Sequence, residues 1–257
     1  AAGMDGLVAL QVACRNSALP TLLILKLAEE LVEAHSLYVT CHDAEIMCQY
    51  CLQVVRHYSE SNAGKLGQAE ASKEQYKQLV TLLKLLTHLT GKELQEMGAE
   101  SATKMDVTQV VFMGLHLVIP LISPELLKFP KLCRQYFRLV AVLLEVHPEQ
   151  VAKLAPEPFR QVMTTLDFGL TQADSEVSTA SLEAMAAISR FHFNEMKKGQ
   201  PGLGQHLAPT DSAGGNLLTH FLEVVLRRLL FEECKRDFAE QAADALLPMI
   251  MCEPGGY

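Results

Sequence analysis

The residues best able to do chemistry gather early in the chain. Cys41-His42, Cys48, Cys51 and His57 fall within one short stretch, and a tetrahedral zinc site draws on four such ligands. Cys48-Gln-Tyr-Cys51 is formally a C-x-x-C. On a helix, however, Cys48 and Cys51 share a stripe with Met47, Val54, Val55 and Tyr58, while His42 and His57 point away from it. No second C-x-x-C follows, and no strand precedes to make a thioredoxin-like turn. A free cysteine in an apolar stripe is a small core residue. These sulfurs are expected inside the fold, with no metal or redox role.

Asp167-Phe168-Gly169 spells the magnesium-binding triplet of protein kinases. That chemistry also needs a Gly-rich loop on strands and an H-R-D segment upstream, and neither occurs. The triplet is instead expected near a helix end, with Leu166 and Phe168 packed and Gly169 allowing close approach. None of the nine histidines has a Glu three residues before it, so the di-iron carboxylate pattern is missing. H-E-x-x-H, G-x-S-x-G, P-loop and G-x-G-x-x-G motifs are absent too. The expectation is no catalytic, cofactor-binding or metal site, with partner-contacting residues left unassigned.

What must be positioned, then, is a surface. The chain has 257 residues, 49% of them hydrophobic and 20% charged, as in an ordinary globular protein. Thirty acidic against 22 basic residues give a formal charge of −8, which disfavours nucleic-acid binding through clustered Lys and Arg. Seven scattered cysteines point to a reducing compartment rather than a disulfide framework. The apolar run from Val110 to Ile122 is broken by His116 and Pro120 and is too short to span a bilayer. No signal peptide or lipidation motif is visible, so no membrane insertion is expected. The chain opens Ala-Ala-Gly without an initiator Met and reads as an excerpt of something longer.

The hydrophobic period is helical almost throughout. From Ser72 to Leu89, Tyr76, Leu79, Val80, Leu83 and Leu86 recur at three- and four-residue steps. Ser72 and Gln75 form a capping box, and Gly91 supplies a stop. Thr21 to Leu37 is expected to carry Leu23, Leu27, Leu31 and Ala34 inward. Further helices are read at 43–58, 103–121, 132–146, 159–170, 177–193, 217–231 and 237–251. Pro124 and Pro148 sit where a first helical turn tolerates proline. Residues 59–71 and 197–215, rich in small and turn-forming residues, read as exposed loops.

The helices fall into pairs at 21–58, 72–121, 125–170 and 177–231, with a last helix at 237–251 lacking its partner. Pairs at intervals of about 40–50 residues suit a HEAT or armadillo-like array. One pair cannot cover its own apolar face, so neighbours must stack. The fold class is therefore all-α, an α-solenoid of HEAT-like hairpins forming one segment over residues 1–257; a closed helical bundle is the alternative. Glu29, Glu30 and Glu33, then Glu93, Glu96 and Glu100, mark acidic faces, against the basic doublets Arg227-Arg228 and Lys235-Arg236. Pairs such as Glu223 with Arg227 lie at salt-bridge spacing along a helix.

One stretch carries a family resemblance. Phe129-Pro-Lys-Leu-Cys-Arg-Gln-Tyr-Phe-Arg-Leu-Val140 and Leu144-Glu-Val-His-Pro-Glu-Gln-Val151 resemble the C-terminal half of exportin-4-type receptors in the karyopherin-β (importin-β) family. The similarity continues through Thr165-Leu-Asp-Phe-Gly-Leu170, Phe191-His-Phe193, Leu229-Leu-Phe-Glu232, Ala243-Asp-Ala-Leu-Leu-Pro248 and Cys252-Glu253. It covers roughly residues 105–257.

The resemblance implies a superhelix of HEAT repeats that carries folded cargo out of the nucleus through nuclear pores. The implied partners are Ran with GTP bound, held mainly outside this segment, cargo such as translation initiation factor 5A, and nuclear pore proteins. The receptor would shuttle between nucleus and cytoplasm and act by binding, without catalysis or cofactor. The rival readings are a HEAT or armadillo scaffold unrelated to transport, and an all-α enzyme assembled around Cys41, Cys48 and Cys51.

Overall fold

The computed structural model describes residues 2–14, 17–35, 41–62, 71–90, 127–207, 216–233 and 236–252. Among the described residues every regular element is helical. The chain divides into two compact units, Ala1–Leu139 and Val140–Tyr257. The expected helix at 103–121, the Pro124 start, the Gly91 stop and the Glu93, Glu96 and Glu100 cluster lie outside the described residues.

In the first unit α1 (Ala2–Ala13), α2 (Ala18–His35), α3 (Cys41–Asn62) and α4 (Ala71–Leu89) follow one another. Helix α2 meets both α1 and α3, and α1 also packs on α3 while α2 packs on α4. Contact with the next helix but one is what stacked hairpins produce, because equivalent helices of successive hairpins lie side by side. The first helix, α1, has no counterpart among the sequence-based expectations. It is nearly all small and apolar residues, with no polar face to reveal a period.

The α2 helix corrects one expectation. Leu23 and Leu27 face solvent at 56% and 41% exposure, and Ala34 is exposed as well. The buried stripe is Thr21, Ile24, Leu25, Ala28 and Val32. This helix is apolar on two sides, so periodicity alone cannot choose between them. Packing on α4 chose the stripe containing the small residue Ala28 and bordering Glu29, which meets Lys84 of α4 at 3.5 Å. From α4 itself the core receives Leu79, Leu82, Leu83, Leu85, Leu86 and Leu89. Gln78 Nε2 donates to the Ala18 carbonyl at 2.9 Å, tying α4 to the start of α2.

The helix α5 (Pro130–Val146) crosses the boundary between the units. The second unit continues with the short α6 (Pro148–Ala152), α7 (Pro156–Leu170), α8 (Ser175–Lys197), α9 (Leu217–Phe231) and α10 (Arg236–Met251). Pro148 and Pro156 open their helices, where the missing N–H costs no hydrogen bond. Asp174 caps α8 by accepting from the Glu176 N–H, and Asn216 caps α9 by accepting from the N–H groups of Leu218 and Thr219.

The same stacking recurs here. Helix α7 packs on α8 and α9 on α10, while α7 also meets α9 and α8 meets α10. The pairing expected from spacing thus shifts by one helix: the last helix is partnered, by α9, rather than alone. Only residues 232–235 separate α9 from α10, and short connections make antiparallel neighbours. The α8 helix is buried on several sides. Its buried residues include Ser178, Ser181, Ala184, Ala187 and Ser189, and α10, which packs on it, buries Ala242 and Ala245.

Candidate partner-binding groove

In the second unit α7 and α9, members of one stacked layer, leave a groove between them with a cavity volume of about 330 Å³. Its floor comes from Phe159 and Met163 of α7 with Leu217 and Phe221 of α9. Spacings of three, four and seven residues put Pro156, Arg160, Met163, Thr164 and Asp167 along one side of α7. The end wall is the 3-10 turn Gly204–His206, whose His206 ring stacks on Phe159 at 3.8 Å between centroids.

Charges on the rim are already paired. Arg160 meets Glu157 at 3.0 Å, and Asp167 meets His220 at 3.0 Å across the two helices. All four groups are well exposed, so these pairs contribute little to stability. What they do is leave an apolar floor under a rim of hydrogen-bonded polar groups, the pattern of a protein-contact hot spot more than of an ion site.

Polar ties hold the surrounding elements in place. Arg228 of α9 donates to the carbonyls of Leu170 and Gln172 at the end of α7, and its guanidinium lies 4.3 Å over the Phe238 ring of α10. A cation on the last carbonyls of a helix satisfies acceptors that have no partner within it. Of the basic doublet, then, Arg227 is a solvent-exposed partner of Glu223 at 3.2 Å, and Arg228 is a staple between three helices. In the other doublet Arg236 meets Glu240 at 2.7 Å, and Lys235 lies outside the described residues.

The remaining residues singled out by sequence separate cleanly. Cys48 and Cys51 are fully buried in α3 among Met47, Val54, Val55 and Tyr58. Burial pushes the Cys48 thiol up to about 11. Cys51 is pushed higher still, by burial first and then by Cys48 beside it. Both thiols are neutral near pH 7, and it is the thiolate that binds metal or attacks. His57 lies apart from them, 3.7 Å from Glu60; the side chains of Cys41 and His42 lie outside the described residues. In Asp167-Phe168-Gly169, Leu166 and Gly169 are buried, but Phe168 is 43% exposed, contrary to expectation. The α7 face toward the core is already filled by Phe159, Val162, Met163 and Leu166, which leaves Phe168 outside.

Among the described residues, Glu29, Glu33 and His88 come within 4.8 Å of one another. Glu29 faces Lys84, and Glu33 lies 4.0 Å from His88. The arrangement is a set of polar contacts between α2 and α4, with Glu29 and Lys84 as its ion pair. Sequence reasoning found the carboxylates but not their partners, which lie far along the chain. It also missed the groove, because its two walls come from separate helices; the Gly199-Gln-Pro-Gly202 punctuation was the one local sign of the end wall.

Comparison with known proteins places this surface in a family. The sequence model of the Exportin-4 family matches residues 7–257, reaching well before the stretch that carries the resemblance by eye. Exportin-4 of Dictyostelium discoideum is 21% identical over 238 residues, covering 92% of this chain and 20% of its own. Exportin-7-B of Xenopus laevis is 25% identical over 142 residues, covering 52% and 13%. Ran-binding protein 17 of Homo sapiens is 25% identical over 124 residues, covering 45% and 11%. The chain therefore spans a fifth or less of the length of these relatives. Two of these relatives are named as exportins and the third for binding Ran. With the family model matched from residue 7 to the last residue, the chain belongs to the exportin-4 family.

Proposed function

We propose that this chain is part of a nuclear export receptor that carries folded protein cargo through the nuclear pore in a Ran-GTP-dependent manner. The observation that carries the reading is the family match across residues 7–257, on helices that stack as HEAT hairpins do. Residues 1–257 are read as one HEAT-repeat segment of that receptor. It works by protein–protein binding on a helical surface, without catalysis or cofactor, and shuttles between nucleus and cytoplasm.

Several features support the partners. A relative is named for binding Ran, and the same partner is assigned to this receptor, mainly through repeats outside this segment. The cargo is a folded protein such as translation initiation factor 5A, and passage brings contact with nuclear pore proteins. Within this segment the α7/α9 groove is the surface assigned to cargo, since its rim groups are partnered and its floor is aromatic and aliphatic. Stacked repeats flex by small changes between neighbours, so Ran and cargo are linked by a coupling free energy and each tightens the other.

The test uses the whole receptor carrying this segment. Its affinity for Ran is measured with GTP and with GDP bound, each with and without factor 5A. Tight binding to the GTP form alone, tightened further by cargo, supports the reading. Equal affinity for both nucleotide forms counts against transport and for a scaffold with no nucleotide dependence. Met163→Glu in the groove is expected to weaken cargo binding by about tenfold or more, as for a central contact residue.

A further inference from the structure

The connection after α8 is built around a histidine. Lys198 ends the helix, Gly199 takes the left-handed conformation at φ 73°, and two N–H groups reach back: Gly199 to Met196 at 2.9 Å and Gln200 to Glu195 at 2.9 Å. That is a Schellman stop, which needs a residue free of a Cβ penalty at this position. Three residues on, Gly202 is again left-handed at φ 51°. A Cβ there would lie 2.5 Å from Nδ1 of His192, so the chain passes directly over that ring. The Leu203 N–H then donates to His192 Nδ1 at 3.2 Å, and the Leu203 side chain is fully buried.

This arrangement anchors the expected exposed loop at 197–215 through the buried Leu203, while residues 198–201 and 204–205 are exposed. It also fixes the groove wall. Gln205 Nε2 donates to the Ala152 carbonyl at the end of α6, and His206 Nε2 lies 2.9 Å from the same oxygen. The His206 ring is thereby laid on Phe159 in the groove.

We propose that the turn from Gly199 to His206 is a pH-sensitive latch, closed by the neutral imidazole of His192 and forming the end wall of the α7/α9 groove. An Nδ1 that accepts from a backbone N–H must be unprotonated, so the ring carries its hydrogen on Nε2. Adding a proton at Nδ1 replaces an acceptor by a donor facing a donor. The bond is lost, and a charge is left in a site that is 5% exposed. Burial already holds this imidazole below its ordinary value of 6.5.

The charged groups around the ring offer it little compensation. Glu195, one turn further along α8, is held by Lys198 at 2.7 Å, and Glu149 of α6 acts on that same lysine. His206 closes the far end of the turn. The buried residues of α6 (Val151 and Ala152), of α7 (Phe159, Val162, Met163 and Leu166) and of α10 (Phe238, Ala242, Ala245 and Met249) are uncharged. Protonation therefore has one ready outlet, which is release of the turn. This inference does not depend on the transport reading.

Hydrogen exchange of the full chain, followed by mass spectrometry over residues 199–207 and corrected for intrinsic rates, reads the latch directly. Between about pH 7.5 and about pH 5, protection of the wild-type turn is expected to fall by up to about tenfold per pH unit from 6.5 down to the lowered folded value of His192, and to level off below it. His192→Asn keeps an acceptor near the Nδ1 position and does not titrate, so its turn should stay protected at both ends of that range. Gly202→Ala drives a methyl group onto the ring and should leave the turn unprotected at every pH, with the α8 core amides still protected. Unchanged wild-type protection at low pH overturns the latch, as does an equal loss in His192→Asn. Should the Asn variant fail to form the turn, NMR of the wild type decides: the Leu203 amide shift must track the His192 titration, and a shift that ignores it overturns the proposal.

Discussion

The two units stack their helices alike and treat polar groups differently. In the first, the hydroxyls of Tyr50 and Tyr58 and the Gln75 side-chain amide nitrogen are buried without a partner. Burial raises the Tyr50 hydroxyl to about 12 and that of Tyr58 further, so both stay neutral. Its core is mostly rows of leucine from α4 against α2, with two cross-helix ties, from Gln11 to the Val54 carbonyl and from Gln78 to that of Ala18. In the second unit, side chains reach across the structure to backbone carbonyls: Arg228 to the end of α7, Gln205 to the end of α6, and Cys252 Sγ to Ser189 at 3.3 Å. Apolar burial is enough to hold helix against helix. Fixing a long connection or a helix end takes directional bonds, because those backbone groups have no intrahelical partner.

That contrast can be broken or sharpened by measurement. The largest effect is expected from Leu83→Ala in the fully buried row of α4, at about 2–5 kcal/mol of stability lost in denaturant unfolding. Arg228→Ala in the second unit should cost about 2 kcal/mol by removing charged hydrogen bonds to two helix-end carbonyls. Restoring only the charge with Arg228→Lys should recover part of that loss, since Lys lacks the planar fork. Tyr58→Phe removes a hydroxyl that has no partner and should raise stability by about 1 kcal/mol; a loss of similar size would mean that this hydroxyl is bonded in the folded chain. The smallest change is expected from Leu23→Ser, within about 0.5 kcal/mol, because the side chain faces solvent. A cost near that of Leu83→Ala would show that the exposed stripe of α2 is covered in the folded chain.

The second unit also predicts a pH dependence on the acid side. His192 is lowered in the folded state, so below 6.5 the unfolded chain binds the proton first. Its contribution is complete above 6.5 and is lost as pH falls through the folded value. His192→Asn should flatten that part of the stability profile.

Much of the fold could be read from residue order. The helices at 132–146, 159–170, 217–231 and 237–251 emerge within a few residues of their expected ends, because long periodic segments between prolines and caps leave little choice. The burial of Cys48 and Cys51 was equally legible from their stripe. The misreadings have a common cause. The α2 helix has two apolar sides, α1 has no polar side, and Phe168 competes with Phe159 and Met163 for one core. In each case the sequence presents more apolar surface than one neighbour can cover, and local pattern cannot rank the choices.

Residue order alone therefore determined that this chain is helical, stacks in hairpins and carries no recognisable catalytic motif, since helical period and caps are local properties. Tertiary structure decided which stripe of α2 is buried, that α10 pairs with α9, and that His192 meets Leu203 while His206 meets Phe159 at one end of a groove. Those outcomes depend on contacts between residues far apart in the chain, where packing and the need to satisfy buried polar groups select one arrangement among several that the pattern allows.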